Sequence, residues 1–145
     1  MIYSCICELP VKYKAAIVEA VNIIIKKDIP HLKKIILFGS CARLHLHVGS
    51  DIDLLIVTKK VVKDRRLLGC LRADLEFLPD EIMGDMVFAT EKRLAKSNEK
   101  LYEDVRRDGI LLWNGGKFTD EYEQLLPVGQ EWLPVFTECK RIQII

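Results

Sequence analysis

From Pro10 to about Lys27, Val11, Ala15, Val18, Val21 and Ile25 recur at spacings of three and four, while Lys12, Lys14, Glu19 and Lys26 fall mainly on other faces. That period predicts an amphipathic helix. Pro10 suits a first helical position, and Asp28-Ile29-Pro30 ends the helix because the residue before a proline avoids helical geometry. The pattern then changes. Lys34-Ile35-Ile36-Leu37-Phe38 is a short β-branched and aromatic run, as in a buried strand, and it stops at Gly39-Ser40. Asp51 to Thr58 reads as a second strand with Leu54-Leu55-Ile56-Val57 as its body. Lys59 to Cys70 is a charged connection compatible with one helix carrying Val61, Val62, Leu67 and Leu68. Ala73 to Leu78 reads as a third strand, halted by Pro79. Asp85 to Asp108 reads as helix, interrupted near Ser97-Asn98 and capped by Gly109.

Ile110-Leu111-Leu112-Trp113 fits a fourth strand, and Asn114-Gly115-Gly116 breaks the chain. Beyond it, Asp120 to Leu126 suits a short helix, and Glu131 to Ile145 has no clear pattern. There is no internal repeat. Alternating strands and helices predict an α/β or α+β domain, a sheet flanked by helices.

Composition narrows the class without deciding the function. The 145 residues suit one small domain, half of them hydrophobic and 30% charged. Lys and Arg number 22 against 21 Asp and Glu, a formal charge of +1, so no global pull toward nucleic acid is expected. No apolar run is long enough to span a bilayer, and the first residues lack a signal-peptide pattern. A cytoplasmic protein without a membrane partner is the expectation. Five cysteines at irregular spacings, Cys5, Cys7, Cys41, Cys70 and Cys139, match no zinc framework and are expected to be reduced thiols.

Chemistry concentrates between Ile36 and Val57. A strand ending in Gly39-Ser40 and followed by Ala42-Arg43 predicts a sharp turn into a helix. Glycine allows close backbone approach, the free N–H groups and the Ser40 hydroxyl suit phosphate oxygens, and Arg43 can add charge-assisted hydrogen bonds. The turn is not a P-loop, since Gly-x4-Gly-Lys-Ser/Thr is absent. Asp51 and Asp53, two residues apart on a strand, face one side beside an apolar run. Such a pair repels itself unless a cation lies between, and hard oxygen ligands select Mg²⁺ or Mn²⁺. A third carboxylate, Asp74, is expected near the start of the next strand, with Glu76 of equal parity as its substitute. Three carboxylates can serve two metal ions in phosphoryl-type transfer.

The combination Gly39-Ser40-x-Ala42-Arg43 with Ser50-Asp51-x-Asp53-Leu54 resembles the signature of the DNA polymerase β-like nucleotidyltransferase superfamily. The likeness is greatest to its minimal members, including the antitoxin partners of HEPN-domain toxins. It spans Ile35 to about Leu78, and Leu101 to Trp113 resembles the closing helix and strand of such domains. The resemblance implies a mixed sheet flanked by helices, with residues 1–113 as the minimal domain and 114–145 as an extension packing on it or forming an interface. It implies metal binding and catalysis by Asp51, Asp53 and Asp74, and nucleotide binding by Gly39, Ser40, Arg43 and Ser50. ATP is the implied donor, and the acceptor is a hydroxyl on a partner protein such as a HEPN-type toxin. A small molecule, an RNA end, and a non-catalytic antitoxin that binds its partner remain alternatives. One departure is Leu44, where this family usually has glycine, and it bears on loop geometry and nucleotide affinity.

Other conspicuous residues have plainer readings. His45 and His47 are expected to decorate a loop, Trp113 and Trp132 to pack, and the Lys59, Lys60, Lys63, Arg65 and Arg66 cluster to be solvated. No Arg-x4–6-His element of the HEPN ribonuclease type is present. The tail from Asn114 leaves open extension of the fold, pairing with a second subunit, or docking of a partner.

Overall fold

The apolar runs Lys34–Phe38 and Leu54–Val57 become neighbouring strands in the computed structural model, which describes residues 5–47 and 49–127. The described strands are β1 (Leu32–Phe38), β2 (Ile52–Thr58), β3 (Gly84–Thr90), β4 (Ile110–Asn114) and β5 (Lys117–Phe118). They form one sheet in the order β3-β2-β1-β4-β5. β1 runs antiparallel to both β2 and β4, whereas β2 and β3 are parallel. The sheet is therefore mixed, and helices cover both faces.

On one face, Ile35, Leu37, Ile52, Leu54 and Ile56 are buried beneath α1 (Val11–Lys26) and α3 (Arg65–Leu75). On the other, Ile36, Leu55, Val57 and Ala89 are buried beneath Tyr102 and Val105 of α5 (Lys100–Asp108). β2 needs apolar residues at both parities because both its faces are covered, which explains its unbroken run. Between the strands and these helices lie α2 (Gly39–Ala42), α4 (Glu91–Lys96) and α6 (Asp120–Glu123).

The expected third strand and the helix after it are corrected. Ala73–Leu78 is not a strand: residues 65–75 are helix α3, and Glu76 is its C-cap. Leu67, Leu71 and Leu75 recur every four residues, and Leu71 and Leu75 are buried. Asp64 caps the start, its carboxylate accepting from the Arg66 and Leu67 N–H groups at 3.0 and 3.1 Å. The third strand is instead Gly84–Thr90, part of the stretch expected to be helical. α3 is thus the crossover that parallel pairing of β2 with β3 demands. The interruption near Ser97-Asn98 is present, since α4 ends at Lys96 and α5 starts at Lys100.

Gly115 and Gly116, both at positive φ, make the two-residue turn between β4 and β5. The chain then returns to the core. Tyr122 is fully buried, its ring stacked on Phe118 with centroids 4.2 Å apart, and its hydroxyl accepts from Asn22 Nδ2 at 2.7 Å. Residues from Lys117 to Leu125 thus pack on the same sheet and on α1. The stretch 131–145, with Trp132 and Cys139, lies outside the described residues. Among those described, no helix is long and apolar enough to cross a membrane.

Cys5 and Cys7, expected as reduced thiols, are joined by a disulfide. A 3-10 turn over Ile6–Glu8 begins right after Cys5 and brings the two Cα atoms to 5.4 Å, within bridging range. Cys41 is a buried free thiol and Cys70 an exposed one.

Candidate active site

The face of the sheet that is apolar under α5 turns acidic at one end. Asp53 shares the parity of Leu55 and Val57, and Asp85 that of Val87 and Ala89. The parallel register sets Asp53 directly opposite Asp85, and the antiparallel register sets it opposite Phe38. Asp51 lies just before β2, exposed. Burial first, then the charges of Asp85 and Asp51, push the Asp53 carboxyl up to about 6, while Arg43 pulls it the other way. A half-buried carboxylate between two others is short of positive charge.

Gly39 is fixed by this crowding. Its φ is +73°, and a β-carbon there would overlap the Asp53 carboxylate. Only glycine allows both the turn and the approach. Cys41 is buried under the same acidic group, its Sγ 3.6 Å from the Asp51 carbonyl. Burial, then Asp53 and Asp51, push its thiol up to about 12, so it is neutral and unreactive at physiological pH.

Arg43 is exposed and bears on two carboxylates, Asp53 and Asp108. Asp108 ends α5, next to β4, whose Ile110 pairs with Leu37. The Asp108 carboxyl is held low chiefly by its hydrogen bond with Arg107. Asp108 is thus paired with Arg107 and reached by the Arg43 charge, while Asp85 flanks Asp53 on the β3 side.

Residues 18–124 match the family described as the nucleotidyltransferase domain. The chain belongs to that family. Among curated proteins, none is significantly similar to it. Among solved structures, a candidate nucleotidyltransferase from Sulfolobus solfataricus shares 19% identity, covering 77% of this chain and 95% of its own, with a TM-score of 0.51. A toxin–antitoxin structure with AMP-PNP shares 24% identity over 85% of this chain and 89% of its own, at a TM-score of 0.45. A tri-AMPylated Shewanella oneidensis HEPN toxin in complex with MNT antitoxin shares 21% identity over 86% and 94%, at 0.40. At these identities the likeness concerns the fold alone.

Within this nucleotidyltransferase domain, the structure brings Gly39, Arg43, Asp51 and Asp53 together with Asp85. It does not bring Asp74 to them. Asp74 is on α3 and pairs with Lys27 at 2.6 Å, and the charges acting on Asp53 are Asp85, Asp51 and Arg43. Asp74 and Glu76 were expected on a strand beside the aspartate pair, and their stretch is helical instead. Asp85 was missed. Its signal is a carboxylate entering an apolar run, Asp85-Met86-Val87-Phe88-Ala89, in the manner of Asp53-Leu54-Leu55-Ile56-Val57.

Ser40 is half-buried in α2. Ser50 is 5% exposed, and its hydroxyl accepts from the His47 N–H at 2.9 Å, so it shapes the loop that leads into Asp51. His45 and His47 are exposed, as expected of loop positions, and Trp113 packs against the core.

Leu44 sits at φ 60°, in the left-handed region. Its N–H donates to the Cys41 carbonyl at 3.2 Å, and the His45 N–H donates to that of Ser40 at 3.0 Å. This is the Schellman pattern of a helix end, in which the residue after the C-cap is usually glycine. The turn keeps that geometry with a leucine, whose side chain packs on the core.

Among the described residues, no group of three His, Cys, Asp or Glu side chains is placed to hold a metal ion. One or two carboxylates are what magnesium commonly uses, with substrate phosphates completing its shell. The donor set is hard oxygen, and Arg43 alone does not offset the burial and acidic neighbours that raise the Asp53 carboxyl. The residues fit a divalent cation brought with a triphosphate.

Proposed function

We propose that this chain transfers a nucleoside monophosphate, AMP from ATP, to an acceptor hydroxyl, using Mg²⁺ or Mn²⁺ held by Asp51, Asp53 and Asp85. The facing of Asp53 and Asp85 across parallel strands, with Gly39 leaving room for the carboxylate, carries this reading. A bound divalent cation would neutralise the triphosphate and lower the pKa of the acceptor hydroxyl. Gly39 lets the chain pass close to the nucleotide, and the Ser40 hydroxyl and α2 N–H groups are available to phosphate oxygens. Arg43 adds positive charge opposite the carboxylates, where charge develops on the transferring phosphoryl group. Ser50 acts by holding the loop that supports Asp51.

The acceptor in this reading is a hydroxyl on a partner protein of the HEPN toxin type. The likenesses to toxin–antitoxin structures motivate the choice of partner. Incubation with α-labelled ATP, Mg²⁺ and a HEPN protein should label the partner. Asp85→Asn should lower transfer by about 100-fold or more, and Asp74→Asn should leave it within a few-fold. Equal loss in both variants would refute the assignment of Asp85, and absence of label in the wild type would refute transfer to this partner. A small-molecule acceptor or an RNA end would then be next, together with a partner-binding role without catalysis.

A further inference from the structure

We infer that Tyr13 is a positioning residue, whose phenol clamps the backbone that delivers Asp51 to the site. The inference rests on the metal-dependent reading above. Tyr13 lies in the first turn of α1, before residue 18, where the family match starts. Its hydroxyl donates to the Ser50 carbonyl at 2.9 Å, a buried hydrogen bond spanning 37 positions of sequence.

Leu46 anchors the loop entering β2 in the core, at 5% exposure. His45, His47 and Gly49 are exposed, and a β-carbon on Gly49 would meet nothing within 4 Å. The backbone at its end, by contrast, is gripped. The Ser50 N–H donates to the His47 carbonyl at 3.0 Å, and the His47 N–H donates to Ser50 Oγ at 2.9 Å. The Ser50 carbonyl is taken by Tyr13 and the Asp51 carbonyl by the Cys41 thiol. The Asp51 side chain itself is exposed, so its position depends on these backbone contacts rather than on packing. Of the two outside grips, the phenol makes the stronger hydrogen bond, because a thiol is a weak donor.

Burying a hydroxyl is unfavourable unless it is hydrogen-bonded, and the Tyr13 ring alone would fill its place in the core. The hydroxyl matters for the loop. Removing it leaves the buried Ser50 carbonyl without this donor and frees the residue before Asp51.

The test compares full-length wild type with Tyr13→Phe, which keeps the ring, and with Tyr122→Phe, which removes a buried hydroxyl elsewhere in the core. Amide hydrogen exchange is followed by NMR, and Mn²⁺ affinity by calorimetry. In Tyr13→Phe, the His47 and Ser50 amides should exchange about tenfold faster, the fold-change of a lost buried hydrogen bond, while Ile17 and Ile24 in α1 hold their rates. Mn²⁺ affinity should fall by about the same factor in Tyr13→Phe but not in Tyr122→Phe. Unchanged exchange at His47 and Ser50, or acceleration only in step with Ile17 and Ile24, would overturn the inference. If wild type binds no Mn²⁺, the metal-dependent reading fails, and exchange alone still decides whether Tyr13 holds the loop.

Discussion

At the scale of single residues, two backbone conformations connect the motif to its chemistry. Gly39 is left-handed and lies against the Asp53 carboxylate. Gly39→Ala should cost about 1–2 kcal/mol of backbone strain and displace Asp53. Transfer should fall by about 100-fold, as expected when a reacting group is misplaced by an ångström. Near-normal transfer by a folded Gly39→Ala protein would refute the close approach. Leu44 is the complementary case, a bulky residue where a helix end favours glycine. Leu44→Gly relieves the left-handed backbone but loses packing and loosens the unfolded chain, so its net effect should stay within about 1 kcal/mol. Leu44→Val keeps an apolar side chain yet places a β-branched residue at positive φ, and should cost about 1–2 kcal/mol. Urea unfolding ranks the two. Valine more stable than glycine would mean that packing, rather than the left-handed turn, governs this position.

At the scale of elements, legibility followed local period. α1, β1 and β2 were readable because each keeps one pattern over its length and ends on a punctuating residue, Pro30, Gly39 or Lys59. The region 65–90 was not, because the competing signals there are weak. Leu67, Leu71 and Leu75 carry the helix, but Ala73-Asp74-Leu75-Glu76-Phe77 alternates like a strand shortly before Pro79. Conversely, Asp85-Met86-Val87-Phe88 is short enough to serve either period, and only pairing with β2 decides it. That ambiguity is why the sequence points to Asp74 as the carboxylate beside Asp53, where the parallel register puts Asp85. The sequence predicts α6, and in the fold its Tyr122 is buried in the core against Phe118 and Asn22. Tyr122→Ala should therefore lower unfolding free energy by about 3–5 kcal/mol, as for other large buried aromatics. A loss below about 1 kcal/mol in urea unfolding would show α6 to be dispensable.

For the molecule as a whole, the acidic end of the sheet sets the protein's stability against its chemistry. Asp53 titrates near 6 in the fold, against 3.8 as the ordinary value. A carboxyl raised on folding favours the protonated form, so its contribution is fully present below about pH 4 and is lost as pH rises through 6. Above that pH the ionised group is a net cost, about 1 kcal/mol once solvent screening of a half-exposed site is allowed for. Asp53→Asn should thus raise the melting temperature at pH 8 in a metal chelator by a few degrees while abolishing transfer. A divalent cation that binds the folded state should offset the same cost in the wild type, with stabilisation growing logarithmically with its concentration, and should do little for Asp53→Asn. The measurement is a set of melting curves at pH 4, 6 and 8, with chelator or with Mg²⁺ and ATP. The wild-type deficit relative to Asp53→Asn should open between pH 4 and 6 in chelator and close when metal and nucleotide are added. A variant no more stable than wild type at pH 8, or equal metal stabilisation of both, would mean that Asp53 is neither strained in the free protein nor relieved by a cation. The acidic end of the sheet would then not be a cation site.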